Sequence, residues 1–285
     1  MNHTPSCIAY QGVPGAYSQL ACQHVYPNTP TIACSTFIEA MEKVEHGEVE
    51  LAMIPLENST AGRVEEIYRQ IPKMCLHIVA EHFEPVNHCL LALPGTKIET
   101  LTEVHSHPQA LAQCHNNLHE RGLHAIANAD TAGAALEVSQ AQNKHHAAIS
   151  SCLAAELYNL EILQENFQDR DGNTTRFIIL SKDAHLPAYH AETHYITSFI
   201  FRVRNIPAAL YKGLGGFATN GVNLVKLESY MPDGDFQATQ FYADAEAHPD
   251  THSMQLAMHE LAYFAEEIRI LGTYPVHSFR FNKSK

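Results

Sequence analysis

The stretch Ile8-Ala9-Tyr10-Gln11-Gly12-Val13-Pro14-Gly15-Ala16-Tyr17-Ser18 reads as a strand, a tight turn and the opening of a helix. Ile8–Tyr10 is a short apolar run of strand length, Gly12-Val13-Pro14-Gly15 interrupts it, and a helix starts at about Tyr17. Outward from this stretch the alternation repeats. Thr31–Cys34 is a second strand, and Thr36-Phe37-Ile38-Glu39 is a capping box opening a helix to about His46. Leu51–Ile54 is a third strand, after which Glu57-Asn58-Ser59-Thr60-Ala61-Gly62 opens a helix over Val64–Gln70. Leu76–Glu84 and His88–Leu93 are extended runs suited to carrying the chain between lobes. The pattern then restarts with strands at Glu103–His105, Ala125–Ala127 and Ala147–Ser150, and helices opening at Ser106, Asp130 and Ser151. Arg176–Ser181 returns as a strand after the Asp169–Asn173 loop. Such alternation builds mostly parallel sheets with crossover helices, here as two α/β lobes flanking a cleft.

Residues 184–194 are polar, contain Pro187 and read as a linker. Beyond it the order changes: strand Tyr195–Arg204, helix Pro207–Thr219, strand Val222–Tyr230, turn Met231–Gly234, strand Phe236–Ala243, helix His252–Glu267 and short strand Ile268–Gly272. This is β-α-β-β-α-β, the ferredoxin-like order. Gly213-x-Gly215-x-x-Ala218 matches a loose dinucleotide fingerprint, but it falls late in a helix rather than at a strand-to-helix turn, so its glycines read as close-packing positions.

With 45% hydrophobic and 17% charged residues in 285, the chain is globular. A formal net charge of −13, carried almost entirely before residue 194, argues against a nucleic-acid or anionic-membrane binder. The opening Met1–Ser6 has no basic stretch leading into an apolar core, and no apolar run approaches the ~18 residues of a spanning helix. Seven cysteines without a Cys-x-x-Cys fit free thiols in a reducing cytoplasm. Twenty histidines invite a metal reading. However, His115/His119, His105/His107 and His145-His146 lack the companion ligands of known metal spacings, so no metal and no cofactor is expected.

Four segments carry the small or hydroxylic residues that open helices: Gly12–Ser18, Glu57–Gly62, Ser106-His107-Pro108-Gln109 with Ser106 as N-cap, and Asp130-Thr131-Ala132-Gly133. Helix N-termini present free N–H groups and partial positive charge, so they hold carboxylates without Lys or Arg. Each segment alone is also ordinary capping. As a set at the carboxyl edge of parallel strands they suggest a cleft for a small polyanionic acid.

Tyr10–Ser18, Pro55-Leu56-Glu57-Asn58-Ser59, Ser106-His107-Pro108-Gln109-Ala110-Leu111, Asp130–Ala135 and Asn173-Thr174-Thr175-Arg176-Phe177 stand in an order that resembles the prephenate dehydratase family. The resemblance covers nearly the whole chain, and the tail is similar to an ACT regulatory domain. It implies a two-lobed catalytic domain of the type 2 periplasmic-binding-protein kind over residues 1–183, with crossings near 76–93 and 160–175. An ACT domain over 195–275 and a tail over 276–285 would follow. The implied reaction is loss of carbon dioxide and water from prephenate to give phenylpyruvate, in phenylalanine biosynthesis.

The resemblance further implies Thr175 as the catalytic hydroxyl, helping hydroxide leave directly or through a water. It places Asn58, Ser106 and Gln113 against substrate, with Gly15, Ser18 and Thr60 as added donors. Thr175 and Arg176 are adjacent on a strand and point to opposite faces, so Arg176 is expected to pair with Glu57 beside Phe177. His107 is expected to cap or pack rather than act as a general acid. The ACT resemblance implies a homodimer or homotetramer inhibited by L-phenylalanine, held near Asn205, Ala208, Ala209, Leu210, Glu228 and Ser229. Here Ala208 replaces the family's common Gly and Tyr230-Met231 its Arg-Pro, and a methyl group at 208 crowds a close backbone approach. Arogenate, with an amino group in place of the keto oxygen, is an alternative substrate. A non-catalytic two-lobe acid sensor fused to an ACT module is an alternative of another class; it has no use for Asn173–Phe177.

Overall fold

The computed structural model describes residues 4–231 and 240–281. Residues 232–239, which hold most of the expected turn and the start of the strand at Phe236, lie outside the described residues, as do 1–3 and 282–285. By contact density the chain divides into two compact units: Met1–Val64 with Phe83–Phe177, and Glu65–His82 with Ile178–Lys285.

The chain begins β1 (Ile8–Gln11), α1 (Tyr17–Val25), β2 (Thr31–Cys34), α2 (Phe37–Glu45), β3 (Leu51–Asn58), β4 (Gly62–Arg63), α3 (Glu65–Gln70) and β5 (His77–Pro85). The second lobe follows: β6 (Cys89–Ala92), β7 (Glu103–Ser106), α4 (Pro108–Gln113), α5 (His115–Glu120), β8 (His124–Ala127), α6 (Thr131–Ala141), β9 (His146–Ser150), α7 (Cys152–Tyr158) and β10 (Glu161–Gln164). β11 (Thr174–Ser181) then returns to the first sheet, whose order is β2-β1-β3-β11-β5 with β4 beside β3. The second sheet has the order β10-β6-β9-β7-β8. The fold is a two-lobed α/β architecture.

The expected parallel pairing holds for β1 with β2 and β3, and for β7 with β8 and β9. The second sheet is mixed, however, because β6 runs antiparallel to β9 and to β10. Both faces of this sheet are covered. Along β6, Leu90 and Ala92 enter one apolar cluster with Val104, Leu111 and Ile149, while Cys89 and Leu91 enter another with Ala134, Ala148 and Ala154. The seven cysteines are free thiols, and burial pushes those of Cys89 and Cys114 up to about 12.

Two expected helix openings are corrected. Glu57–Gly62 is not a helix N-terminus but a β-hairpin: Glu57 pairs with Arg63 and Asn58 with Gly62. The strand runs on because the Asn58 carboxamide holds the turn, accepting from the N–H groups of Thr60 (3.0 Å) and Ala61 (2.9 Å). The N-cap of α4 is His107 rather than Ser106, its Nδ1 accepting from the Gln109 N–H at 3.2 Å. The expected caps at Thr36, Asp130 and Ser151 each accept from the N–H three residues on.

The last part comprises β12 (Tyr195–Val203), α8 (Ala209–Thr219), β13 (Leu224–Tyr230), β14 (Gln240–Ala245), α9 (His252–Phe264) and β15 (Ala265–Pro275). Its sheet order, β13-β14-β12-β15, is that of a ferredoxin-like βαββαβ unit. Phe199, Phe201, Phe217 and Phe241 fill the core beneath α8 and α9. α9 ends earlier, and β15 is far longer, than their patterns indicate. β15 pairs with β12 along its whole length, and this pairing overrides the helical propensity of Ala265–Glu267. Among the helix glycines, Gly213 packs against Leu261 as expected, but Gly215 faces open space and Gly216 makes the second close approach.

Residues 65–82 belong to this second unit because its tail grips them. The Arg269 guanidinium donates to the carbonyls of Met74 (2.8 Å) and Ile71 (2.7 Å), and the Arg280 guanidinium to the buried Glu81 carboxylate (2.7 and 2.8 Å). A Cβ at Gly272 would fall on the Ile78 carbonyl oxygen, so only glycine fits there.

Candidate active site

In the first unit a cavity of about 150 Å³ is lined by Tyr17, Asn58, Val86, His88, His107, Gln109, Ala110, Gln113, Thr131, Asn173 and Thr175. The first lobe contributes Tyr17 at the start of α1, Asn58 at the end of β3 and Thr175 on β11. The second contributes His107 to Gln113 around α4 and Thr131 at the start of α6. Val86, His88 and Asn173 sit on the two chain crossings. The segments singled out as helix openings therefore share one hollow, although one of them is a hairpin. None of the lining residues is Asp, Glu, Lys or Arg. The wall is uncharged, with hydrogen-bonding side chains beside apolar Val86 and Ala110 and the N-terminal turns of α1 and α6, the latter already taking the Asp130 carboxylate at the Gly133 N–H, and its donors suit an anion.

Asn58 is the hub. Its Nδ2 donates to Asn173 Oδ1 at 2.8 Å and to Thr175 Oγ1 at 3.0 Å, while its Oδ1 takes the Thr60 hydroxyl at 2.8 Å along with the two turn amides. Gln113 closes the ring: its Nε2 donates to Thr60 Oγ1 at 2.9 Å and its Oε1 accepts from Asn173 Nδ2 at 3.1 Å. Thus Asn58 has both amide hydrogens engaged, whereas Gln113 and Asn173 each keep one. Thr175 accepts from Asn58, and its own hydroxyl proton has no acceptor among the described residues. That proton is free for a ligand.

Behind the ring stands His88, which is buried. Its Nε2 lies 2.8 Å from Gln113 Oε1 and its Nδ1 2.8 Å from the Tyr17 hydroxyl. Burial holds the His88 imidazole below the usual histidine range and Tyr17 well above the usual phenol range, so both are neutral at pH 7. Gln113 Oε1 can only accept, which places the His88 proton on Nε2 and leaves Nδ1 an acceptor; the single Tyr17 hydroxyl proton is shared between that nitrogen and the Asn87 carbonyl at 2.9 Å. The Gln113 amide is oriented by Thr60 and Asn173, and His88 adds a second donor to its oxygen.

Of the remaining expected residues, His107 lines the cavity and the others stand outside its lining. Ser106 is buried and donates to the Ile149 carbonyl at 2.6 Å, outside the cavity lining. Gly15 and Ser18 are also absent from the lining. The Gly15 N–H is taken by Gln19 Oε1 at 2.7 Å, and a Cβ on Gly15 (φ +88°) would press on the Ala154 backbone. Thr60 touches the ring from outside the lining. Arg176, almost fully buried, donates to Glu57 Oε1 at 3.1 Å on the opposite face of β11 from Thr175, next to buried Phe177. His107 lines the cavity while capping α4. Tyr17, His88 and Asn173 were not singled out by sequence reasoning. Tyr17 and Asn173 stood inside quoted motifs; His88 carries no local signal, since only the fold turns it toward Gln113. In the second unit, Ala208 caps α8 in the left-handed region (φ 62°), and Glu228 and Ser229 lie on β13.

A family model described as prephenate dehydratase matches residues 8–185, which is well over half of the chain. The chain belongs to the prephenate dehydratase family. Members of this family are hydro-lyases acting in aromatic amino acid biosynthesis, and so is this chain. It is 47% identical over 274 residues to the bifunctional N-acyl-homoserine lactone acylase/prephenate dehydratase of Komagataeibacter europaeus, covering 96% of this chain and 97% of that protein. It is 40% identical to the chloroplastic arogenate dehydratase/prephenate dehydratase 1 of Arabidopsis thaliana, covering 96% of this chain and 73% of that one. Its fold matches the crystal structure of prephenate dehydratase from Arthrobacter aurescens in complex with L-Phe, with TM-score 0.85 and 28% identity over 94% of this chain and 89% of the other. Among the described residues no helix is long and apolar enough to cross a membrane.

Proposed function

We propose that this family member converts prephenate to phenylpyruvate in the cavity around Thr175. The reaction consumes one proton: the prephenate dianion gives phenylpyruvate, carbon dioxide and water. The ring carboxylate leaves as carbon dioxide, its bonding pair enters the ring, and the ring hydroxyl departs as the ring becomes aromatic. Aromatisation drives the step, so the protein must hold a dianion and ease hydroxide away. The neutral donor-rich wall and the α1 and α6 N-termini suit the dianion. The observation that carries the reading is the Thr175 hydroxyl, held at its oxygen by Asn58 with its proton uncommitted. A hydrogen bond from that proton strengthens as charge develops on the leaving oxygen, contributing ~10²–10⁴-fold. Gln113 and Asn173 each offer a further N–H to substrate, whereas saturated Asn58 positions Thr175.

The test is incubation with prephenate at neutral pH, reading phenylpyruvate after base. Thr175→Ala loses the rate while Thr175→Ser keeps a substantial part of it; an unchanged rate in Thr175→Ala removes the assignment. Arogenate in the same assay decides between the two substrates carried in the relatives' names. An N-acyl-homoserine lactone belongs beside them, because the Komagataeibacter relative carries that activity in its name at 47% identity.

The proposal extends to residues 195–275 as an ACT domain that joins copies of the chain and takes L-phenylalanine near Asn205, Ala208–Leu210 and Glu228-Ser229. The ferredoxin-like strand order and the L-Phe complex of the Arthrobacter protein support it. Inhibition of turnover by phenylalanine, relieved in Ser229→Tyr, is the expected result; undiminished inhibition in that variant places the effector elsewhere.

A further inference from the structure

We infer that Glu103, His105 and His146 form a binding site for one divalent transition-metal ion, with Zn²⁺ the best match to the donor set. The sequence showed no metal spacing because the ligands come from two strands that only the fold pairs. β7 and β9 are parallel neighbours whose register sets Glu103 opposite His146 and His105 opposite Ala148. Residues two apart on a strand share a face, so all three side chains rise from one side of the sheet.

The two carboxylate–imidazole spacings fit a metal. Glu103 Oε2 lies 3.2 Å from His146 Nε2 and 3.5 Å from His105 Nε2, and all three donor atoms lie within 4.8 Å of one another. Bonds of ~2.0–2.1 Å around tetrahedral zinc separate neighbouring ligands by ~3.3–3.4 Å.

The protons point the same way. Asn143 Oδ1 accepts from the His145 N–H at 3.0 Å, which assigns Asn143 Nδ2 to the contact with His146 Nε2 at 2.9 Å. An amide nitrogen there can only donate, so His146 Nε2 presents a lone pair. The Glu103 carboxylate oxygen faces that same lone pair. His105 Nε2 is buried with no hydrogen-bond partner among the described residues. Two acceptors, Glu103 Oε2 and His146 Nε2, thus face each other with no proton between them, and a cation relieves this, with the unpartnered His105 Nε2 beside them as third ligand. His146 has a single lone pair at Nε2, so the Asn143 amide must give way when metal binds.

Side-chain exposures of 16% for His105, 24% for His146 and 38% for Glu103 leave an entry path and room for a water as fourth ligand. Two imidazoles and one carboxylate match Zn²⁺ among abundant cations, while Mg²⁺ and Ca²⁺ favour all-oxygen sets. None of the three lines the cavity around Thr175.

The test uses the metal-free full-length protein titrated with Zn²⁺, and with Co²⁺ for its four-coordinate visible absorption. One equivalent is expected to bind ahead of any weaker binding by the chain's other histidines. Glu103→Gln and His105→Asn are each expected to weaken that equivalent by ~100-fold or more, beyond the usual effect of an outer-sphere partner. Asn143→Ala is expected to bind as tightly as the parent or more so. Melting curves of the metal-free variants establish that they fold, and nearly isosteric Glu103→Gln serves if His105→Asn does not. Absence of a tight equivalent, its survival in Glu103→Gln, or its loss in Asn143→Ala overturns the proposal.

Discussion

Two polar networks in this molecule use similar groups to opposite ends. Around the cavity, Asn58, Thr60, Gln113, Asn173 and Thr175 satisfy one another but leave hydrogens over, facing open space. In the ferredoxin-like sheet, the hydroxyls of Ser198 (2.5 Å) and Tyr242 (2.6 Å) both donate to Asp244 Oδ1, with Tyr274 2.8 Å from Ser198, and all four residues are buried. The first network is incomplete by construction and offers its remainder to a ligand. The second is sealed, and what it supplies is a unique packing of β12, β14 and β15. A buried hydroxyl is therefore not a functional signal in itself; a hydroxyl with its proton uncommitted at a hollow is.

The comparison breaks most visibly at Thr175. Thr175→Ala is expected to lower kcat by ~10²–10⁴, or ~3–5.5 kcal/mol of transition-state stabilisation, with little change in melting temperature. Steady-state kinetics beside a thermal melt reads both. Asp244→Ala should show the reverse: a loss of ~3 kcal/mol of stability, because it strands buried hydroxyls, with kcat of the folded fraction preserved. Chemical denaturation measures it, and a large kcat defect at unchanged stability would erase the distinction between the two networks.

A smaller effect is confined to acid. Burial lowers the folded-state His88 pKa below its unfolded value near 6.5. As pH falls through that value the unfolded chain takes up the proton more readily, so stability is lost toward low pH and fully present above it. His88→Asn should flatten stability between pH 7 and 5 relative to the parent, and should also loosen Gln113, raising KM for prephenate. A pH series of denaturation midpoints tests the first part. The smallest expected effect is at Ala208, held at φ 62° where a side chain is disfavoured. Ala208→Gly should stabilise the ferredoxin-like unit by ~0.5–1 kcal/mol, offset in part by the entropy of the freed backbone, as a rise in melting temperature.

Local chemistry made much of this legible. Thr36, Asp130 and Ser151 are caps because a side-chain oxygen next to free N–H groups decides a helix start on its own. Tyr195 to Pro275 reads as β-α-β-β-α-β because each element carries its own periodicity. Misreadings arose where a side chain reached across. Asn58 turns what resembles a helix opening into a hairpin, and Ser106 gives up its cap position because its hydroxyl finds the Ile149 carbonyl.

From residue order came the two-lobed α/β class, the ferredoxin-like tail and the Arg176–Glu57 pair, which follow from strand and helix alternation, whereas the Thr175 hydroxyl came as what the family resemblance of Asn173–Phe177 implies. Tertiary structure alone decided that His88 meets Gln113, that residues 65–82 pack with the tail through Arg269 and Arg280, and that Glu103, His105 and His146 meet. The reason is range. Propensities and caps act within a few residues, whereas a lone pair or a cation is matched by whichever group the register of distant strands brings within about 3 Å.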